Sequence, residues 1–253
     1  MVILSIDIGL RNLAMCVMSA TDPSKIETFK LELWKVYNTL DSDDHRCNSL
    51  KKDGVVCGKK CSTKLKDNFY CKTHFPKGTN FNKKLHTFKI KPINNYLLQD
   101  IAKVVLSKIQ QIYEENLELF GQLTGIVIEL QPKVNQKMKF ISHIIYGKLT
   151  DLLANTTTTI RFVRAAHKLK AYTGPFIECR LKSAYSKRKW LSIRYTEWFL
   201  LNKFSESERE LWSEYLLHHS KQDDLCDTFL MTINALYGIP KKQFRHRNGN
   251  ELK

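Results

Sequence analysis

The apolar positions fall into two rhythms. Residues 2–8 (VILSIDI) are rich in Ile, Val and Leu and read as a strand. Residues 12–19 (NLAMCVMS) and 27–37 (ETFKLELWKVY) predict a second and a third strand, and the short connections make the three antiparallel. Asp7 falls at the end of the first strand, where Gly9 permits a sharp turn. Helical spacing takes over at 92–117, where Ile93, Tyr96, Leu97, Ile101, Val104, Val105, Ile109 and Ile112 recur. The run GIVIEL at 125–130 predicts a buried strand, 136–154 a helix, and TIRFVR at 159–164 another strand. A helix over 183–202 follows, with Thr173, Gly174 and Pro175 marking the loop before it. A final helix over 220–237 has Gly238 and Pro240 as its stop signal. The order βββ, α, β, α, β, α, α predicts a mixed α/β sheet rather than a doubly wound parallel one.

Residues 40–90 break the pattern. They are polar, Lys-rich and without apolar periodicity, and they read as an insertion. The predicted organisation is therefore a discontinuous core (1–40 and 91–240), an insert (41–90) and a basic tail (241–253). With 253 residues and 43% hydrophobic content, the chain can bury one sizeable core.

Charge sharpens the picture. The formal net charge of +16 makes a polyanion the natural partner, and nucleic acid fits it best. No apolar run reaches the roughly 18 residues that a membrane span needs. The apolar N-terminus is interrupted by Asp7 and lacks a preceding basic region, so it reads as a strand and not a signal peptide. Seven cysteines without such a signal predict a reducing intracellular compartment.

The acidic residues stand where acids are costly. Asp7 and Glu129 each end a strand that is otherwise apolar. Asp224 and Asp227, three apart, share a face of the last helix beside Leu225, Cys226, Phe229, Leu230 and Ile233. Acids against a buried stripe need a compensating cation, either Mg²⁺ or a basic side chain. Phosphodiester hydrolysis suits this set, since two Mg²⁺ ions roughly 4 Å apart can serve the attacking and leaving oxygens.

Together the motifs IDIGLRNLA, VIELQP and KQDDLCD resemble those of the RuvC-like Holliday junction resolvases of poxviruses and other large DNA viruses, within the RNase H-like superfamily. The resemblance covers residues 1–37 and about 92–238. It implies an RNase H-like mixed five-stranded sheet flanked by helices. It also implies a homodimeric, Mg²⁺-dependent endonuclease, with Mn²⁺ as a substitute, that cuts four-way DNA junctions. Asp7, Glu129, Asp224 and Asp227 would be the catalytic metal ligands, with Asp223 an adjacent acid. A basic residue near the scissile phosphate is implied too, and AYSKRKWLSIRY offers Lys187 and Lys189. Arg11, Lys133 and Arg188 are candidates for DNA contact. The setting would be host cytoplasm or a virus factory.

Four cysteines and a histidine cluster in the insert as Cys47-x9-Cys57-x3-Cys61-x9-Cys71-x2-His74. A closing C-x2-H is zinc spacing, and five donors are one more than a tetrahedral site uses. The segment looks like a small zinc-knuckle pattern of large DNA virus proteins. That likeness gives Cys47, Cys57, Cys71 and His74 as ligands of a structural Zn²⁺, with Cys61 the alternative. Lysines crowd the insert, so it is expected to contact phosphates. The smaller poxvirus resolvases lack such an insert.

Cys16, Cys179 and Cys226 are expected as buried small hydrophobes. Trp190, Trp198 and Trp212 are expected to pack a core or a dimer surface, and His218 and His219 to lie at a helix end. No Gly-rich phosphate loop is present, which argues against an actin-like ATPase and against a small-molecule cofactor. The open alternatives are a flap or RNA/DNA-hybrid nuclease of the same superfamily, or a non-catalytic zinc-containing DNA-binding protein.

Overall fold

The computed structural model describes residues 1–39, 46–75 (apart from 53, 60, 66 and 67), 95–132 and 134–237. The core strands are β1 (Val2–Ile8), β2 (Asn12–Ala20), β3 (Phe29–Asn38), β6 (Gly125–Glu129) and β7 (Thr159–Val163). A separate hairpin in the insert is formed by β4 (Thr63–Leu65) and β5 (Asn68–Tyr70). The helices are α1 (Leu98–Glu115), α2 (Leu117–Gly121), α3 (Gln136–Leu152), α4 (Ala184–Lys203), α5 (Glu206–His218) and α6 (Gln222–Leu236).

The main sheet has the order β3-β2-β1-β6-β7. β1, β2 and β3 are antiparallel neighbours, while β6 and β7 run parallel to β1. This is a mixed five-stranded sheet flanked by helices. β1 is central, so both its faces are buried.

Side chains alternate across a strand, and the two faces go to different helices. Leu4, Ile6 and Ile8 of β1 join Ile126 and Ile128 of β6 against Ile101, Val105, Ile109 and Ile112 of α1 and Ile141, Ile145 and Leu149 of α3. Ile3 of β1, Cys16 and Met18 of β2 and Val127 of β6 face the other way, onto Phe229, Leu230 and Ile233 of α6. Asp7 and Glu129 have the parity of Ile3 and Val127. They therefore lie on the α6 face, and a one-residue register slip would move them away from it.

Two polar anchors fix α6 against the sheet. Ser5 Oγ donates to the Thr228 carbonyl at 2.7 Å and lies 2.6 Å from Thr232 Oγ1, all in the core. Trp34 Nε1 on β3 donates to the Leu225 carbonyl at 2.8 Å. Phe229 is fully buried between Trp34, Phe199 and Phe204, with ring centroids 5.4, 6.3 and 5.7 Å away. A buried side chain of that kind contributes about 1.5–3 kcal/mol. These contacts set both the rotation and the height of α6, and with them its carboxylates.

The structure departs from the sequence expectations in several places. α1 starts at Leu98; Tyr96 precedes the helix, and Ile93 lies outside the described residues. Leu97 and Val104 are exposed, because the stripe facing the sheet is the narrower set Ile101, Val105, Ile109 and Ile112. α5 was not anticipated. Its N-cap Ser205 accepts from the Glu208 N–H and donates its hydroxyl to the Glu208 carboxylate, which caps the first turn. Gly9 is required for a different reason than a special backbone angle. A Cβ there would sit 2.5 Å from the Asn12 carbonyl oxygen, which accepts from the Gly9 N–H. Gly238, Pro240 and the basic tail lie outside the described residues. Among the described residues no helix is long and apolar enough to cross a membrane.

Candidate active site

Asp7 ends β1, Glu129 ends the adjacent parallel β6, and Asp224 and Asp227 occupy the first turns of α6. All four line one cavity of about 540 Å³. Asn135, which also caps α3, Tyr185, Arg188 and Lys189 complete the wall together with Lys168. Sequence-distant acids thus meet because β1 and β6 are neighbours and α6 packs across both.

The cluster is short of positive charge. Burial pushes the Asp7 carboxyl well above the ordinary range, and Glu129 adds to this by its charge and by a shared hydrogen bond. Burial also raises Asp227, although Lys168 and Ser192 pull it down. Asp224 is raised by burial and by the neighbouring Asp223 charge. Ser192 Oγ, buried on α4, donates to Asp227 Oδ1 at 2.6 Å and holds that carboxylate in place.

Lys168 was missed from the sequence. It comes from the 3-10 helix Ala165–Ala171, after β7. Its Nζ lies 2.5 Å from Asp227 Oδ2 and 3.4 Å from Glu129 Oε1. Burial works against its charge, but Asp227, Glu129 and Asp7 outweigh burial and hold the ammonium protonated above its usual range. The segment AAHKLKAY has no strong periodicity. The one available signal is a lysine in a stretch that must return from the β7 edge to the acid-bearing face.

The other predicted residues divide. Lys189 and Arg188 line the cavity, whereas Lys187 is exposed and does not. Two helical steps turn Lys187 by about 200° from Lys189. Lys189 pairs with Asp223 and lies 5.0 Å from the Tyr185 ring centroid. Burial would raise Asp223, but this pairing outweighs it and lowers the carboxyl. Asp223 therefore stands apart from the four acids of the cavity. Arg11 is half-buried in the β1–β2 turn, where its carbonyl accepts from Thr39, and it does not line the cavity. Lys133 lies outside the described residues. Cys16 and Cys226 are fully buried, with thiols pushed up by burial, but Cys179 is half-buried in the loop before α4. Trp198 and Trp212 pack against the α6 core as expected, whereas Trp190 does not.

In the insert, the donor atoms of Cys47, Cys57, Cys71 and His74 lie within 4.8 Å of one another. Cys47 Sγ and Cys71 Sγ are each 3.6 Å from His74 Nδ1, and Cys57 Sγ is 3.9 Å from Cys71 Sγ. Tetrahedral Zn²⁺ with ordinary bond lengths has edges of about 3.6 Å between N and S and about 3.8 Å between two S atoms. The donor set fits that ion. Burial works against the Cys47 thiolate, yet backbone N–H groups of Cys71 and Ser49 bring the thiol down to about 7. Cys61 is buried but outside this four-donor group. Among the described residues of the insert, the buried apolar cluster is Cys47, Cys57 and Cys71 alone, so a metal held there would supply folding energy that a core of this size does not.

No protein-family model matches the chain. It is 27% identical over 217 residues to the uncharacterized protein L451 of Acanthamoeba polyphaga mimivirus, covering 78% of this chain and 50% of that protein. The chain thus spans about half the length of the curated relative it matches. Among solved structures it is similar to the fowlpox virus resolvase in complex with its substrate Holliday junction DNA, at 14% identity, 93% and 97% coverage of the two chains and a TM-score of 0.47. It is also similar to the yeast mitochondrial Holliday junction resolvase Ydc2, at 12% identity, 93% and 77% coverage and a TM-score of 0.49. RuvC of Thermus thermophilus in complex with a Holliday junction substrate follows, at 9% identity, 94% coverage of both chains and a TM-score of 0.44.

Proposed function

We propose that this chain is a metal-dependent endonuclease that resolves four-way DNA junctions. The observation that carries the reading is the convergence of Asp7, Glu129, Asp224 and Asp227 on one cavity of a chain with net charge +16. The order of the motifs IDIGLRNLA, VIELQP and KQDDLCD supports the same class.

The four carboxylates would hold Mg²⁺, or Mn²⁺ in its place, since both are hard cations that take carboxylate oxygens. Bound there, such ions supply Lewis-acid stabilisation of the phosphorane and a water of lowered pKa. Water oxygen attacks phosphorus, the bond to the 3′-oxygen breaks, and that oxygen takes up a proton. The products are a 5′-phosphate and a 3′-hydroxyl. Lys168 offsets the acid charge at the cavity floor and presents an ammonium to the phosphate. Ser192 keeps Asp227 oriented. Arg188 and Lys189 at the wall neutralise the DNA backbone, a contact that positions without reading sequence. The insert would bind one structural Zn²⁺ through Cys47, Cys57, Cys71 and His74, and its lysines would lengthen the footprint along a junction arm.

A four-way junction has near two-fold symmetry, and paired nicks need two sites, so the working form is a C2 homodimer. In a virus, the task would be separating branched or concatenated genomes. The test is cleavage of a mobile four-way junction, a flap, a linear duplex and an RNA/DNA hybrid in Mg²⁺. Symmetric nicking of the junction alone is expected; preference for the flap or the hybrid would move the protein to another nuclease class.

A further inference from the structure

Beside the catalytic cavity lies a second recess of about 430 Å³, with Trp190, His219, Ser220 and Gln222 in its wall. The two share a boundary, because Lys189 lines both and its partner Asp223 lines the recess. On α4, Tyr185 and Lys189 are four apart and in contact, on the cavity side. Trp190 is the next residue and is half-buried on the recess side. Arg194 stands 5.5 Å from the Trp190 ring centroid and steadies the indole. His219 Nδ1 accepts from the Lys221 N–H at 3.0 Å, so in the neutral ring Nε2 is the nitrogen that donates. Basic side chains beside aromatic rings, here Lys189 by Tyr185 and Arg194 by Trp190, with hydrogen-bonding groups near them, are how proteins hold a single nucleic-acid strand. The cation takes the phosphate and the rings take the bases.

We propose that this recess receives the nucleobase adjacent to the phosphate held in the catalytic cavity, stacked on Trp190. The recess then contributes substrate positioning and base preference at one flank of the cut. This rests on the nuclease reading above. The sequence gives no hint of it, because a Trp in an amphipathic helix reads as a core residue.

The test is a double-mutant cycle between protein and DNA. An abasic nucleotide is walked through the positions around the junction centre, against wild type, Trp190→Ala and Trp190→Phe. Equilibrium binding in EDTA and cleavage in Mg²⁺ are both measured. At one position the abasic nucleotide should weaken wild type roughly 5- to 150-fold, the range that base–aromatic stacking supplies. Trp190→Ala on intact DNA should lose a similar factor, and the two changes together no more than either alone. Trp190→Phe should keep most of the coupling. Losses that multiply at every position, or no abasic position that weakens wild type, would overturn the assignment. Binding with coupling but without cleavage of any DNA would sink the nuclease reading and leave the recess standing as a base-binding site.

Discussion

Replacing Lys168 by Met removes the ammonium from between Glu129 and Asp227 and keeps most of its volume. The Lys168, Glu129 and Asp227 side chains are 10%, 13% and 17% exposed, so little water reaches the gap. Breaking a buried ion pair by deleting one partner costs about 3–5 kcal/mol, and the open side of the cavity places this pair at the lower end, about 3 kcal/mol at pH 8. The pH dependence follows from Asp227. Its folded pKa is already raised, and without Lys168 it rises further. A carboxyl raised above its unfolded value of about 3.9 costs stability increasingly as pH climbs towards the folded pKa, in full above it. Lys168, itself raised, contributes stability below about pH 10 and loses it only above its folded pKa. The deficit of Lys168→Met should therefore be small near pH 4 and widen to its full value by pH 8. Saturating Mg²⁺ should narrow it, because a divalent ion restores the missing charge. Urea unfolding followed by tryptophan fluorescence measures this, at pH 4, 6 and 8, with and without Mg²⁺. A deficit that is the same at every pH and indifferent to Mg²⁺ would refute the assignment of Lys168 as the internal counter-ion.

Three further outcomes are expected. Elemental analysis of purified protein should find one zinc per chain; Cys71→Ser and His74→Ala should lose it, and Cys61→Ser should retain it. Gly9→Ala should lower stability by about 1–3 kcal/mol in urea unfolding, since a Cβ would meet the Asn12 carbonyl at 2.5 Å. Asp227→Asn should reduce single-turnover cleavage about 100-fold or more, whereas Asp223→Asn, which loosens the Lys189 pair and relieves the charge beside Asp224, should cost less than about tenfold.

The strands and the acids were legible because each broke a strong local pattern. Asp7 and Glu129 are single charges at the ends of buried strands, and the β1–β6 register puts both on one face. Asp224 and Asp227 share a helical face by spacing. Lys168 was illegible because its position depends on where the chain goes after β7, which no local period encodes. α5 was missed although Ser205 and Glu208 spell a capping box, since its buried stripe reduces to Leu216 with Trp212 and Tyr215 half-buried beside it. The four zinc donors followed from a likeness and are consistent with the S···S and S···N distances. Lys187 and Lys189 could not be separated by composition; the helical phase of α4 separates them. Trp190 shows the limit from the other side, since which aromatic lines a recess instead of a core is a property of the assembled surface.

The most direct test of the four-carboxylate cavity as a metal-dependent nuclease site compares wild type with Asp7→Asn. Single-turnover cleavage of a four-way junction in Mg²⁺ is measured alongside Mg²⁺ binding by calorimetry. Wild type should nick the junction symmetrically in Mg²⁺ and not in EDTA. Asp7→Asn should lose cleavage and weaken Mg²⁺ binding while still binding the junction. Full Mg²⁺-dependent cleavage by Asp7→Asn would contradict the site.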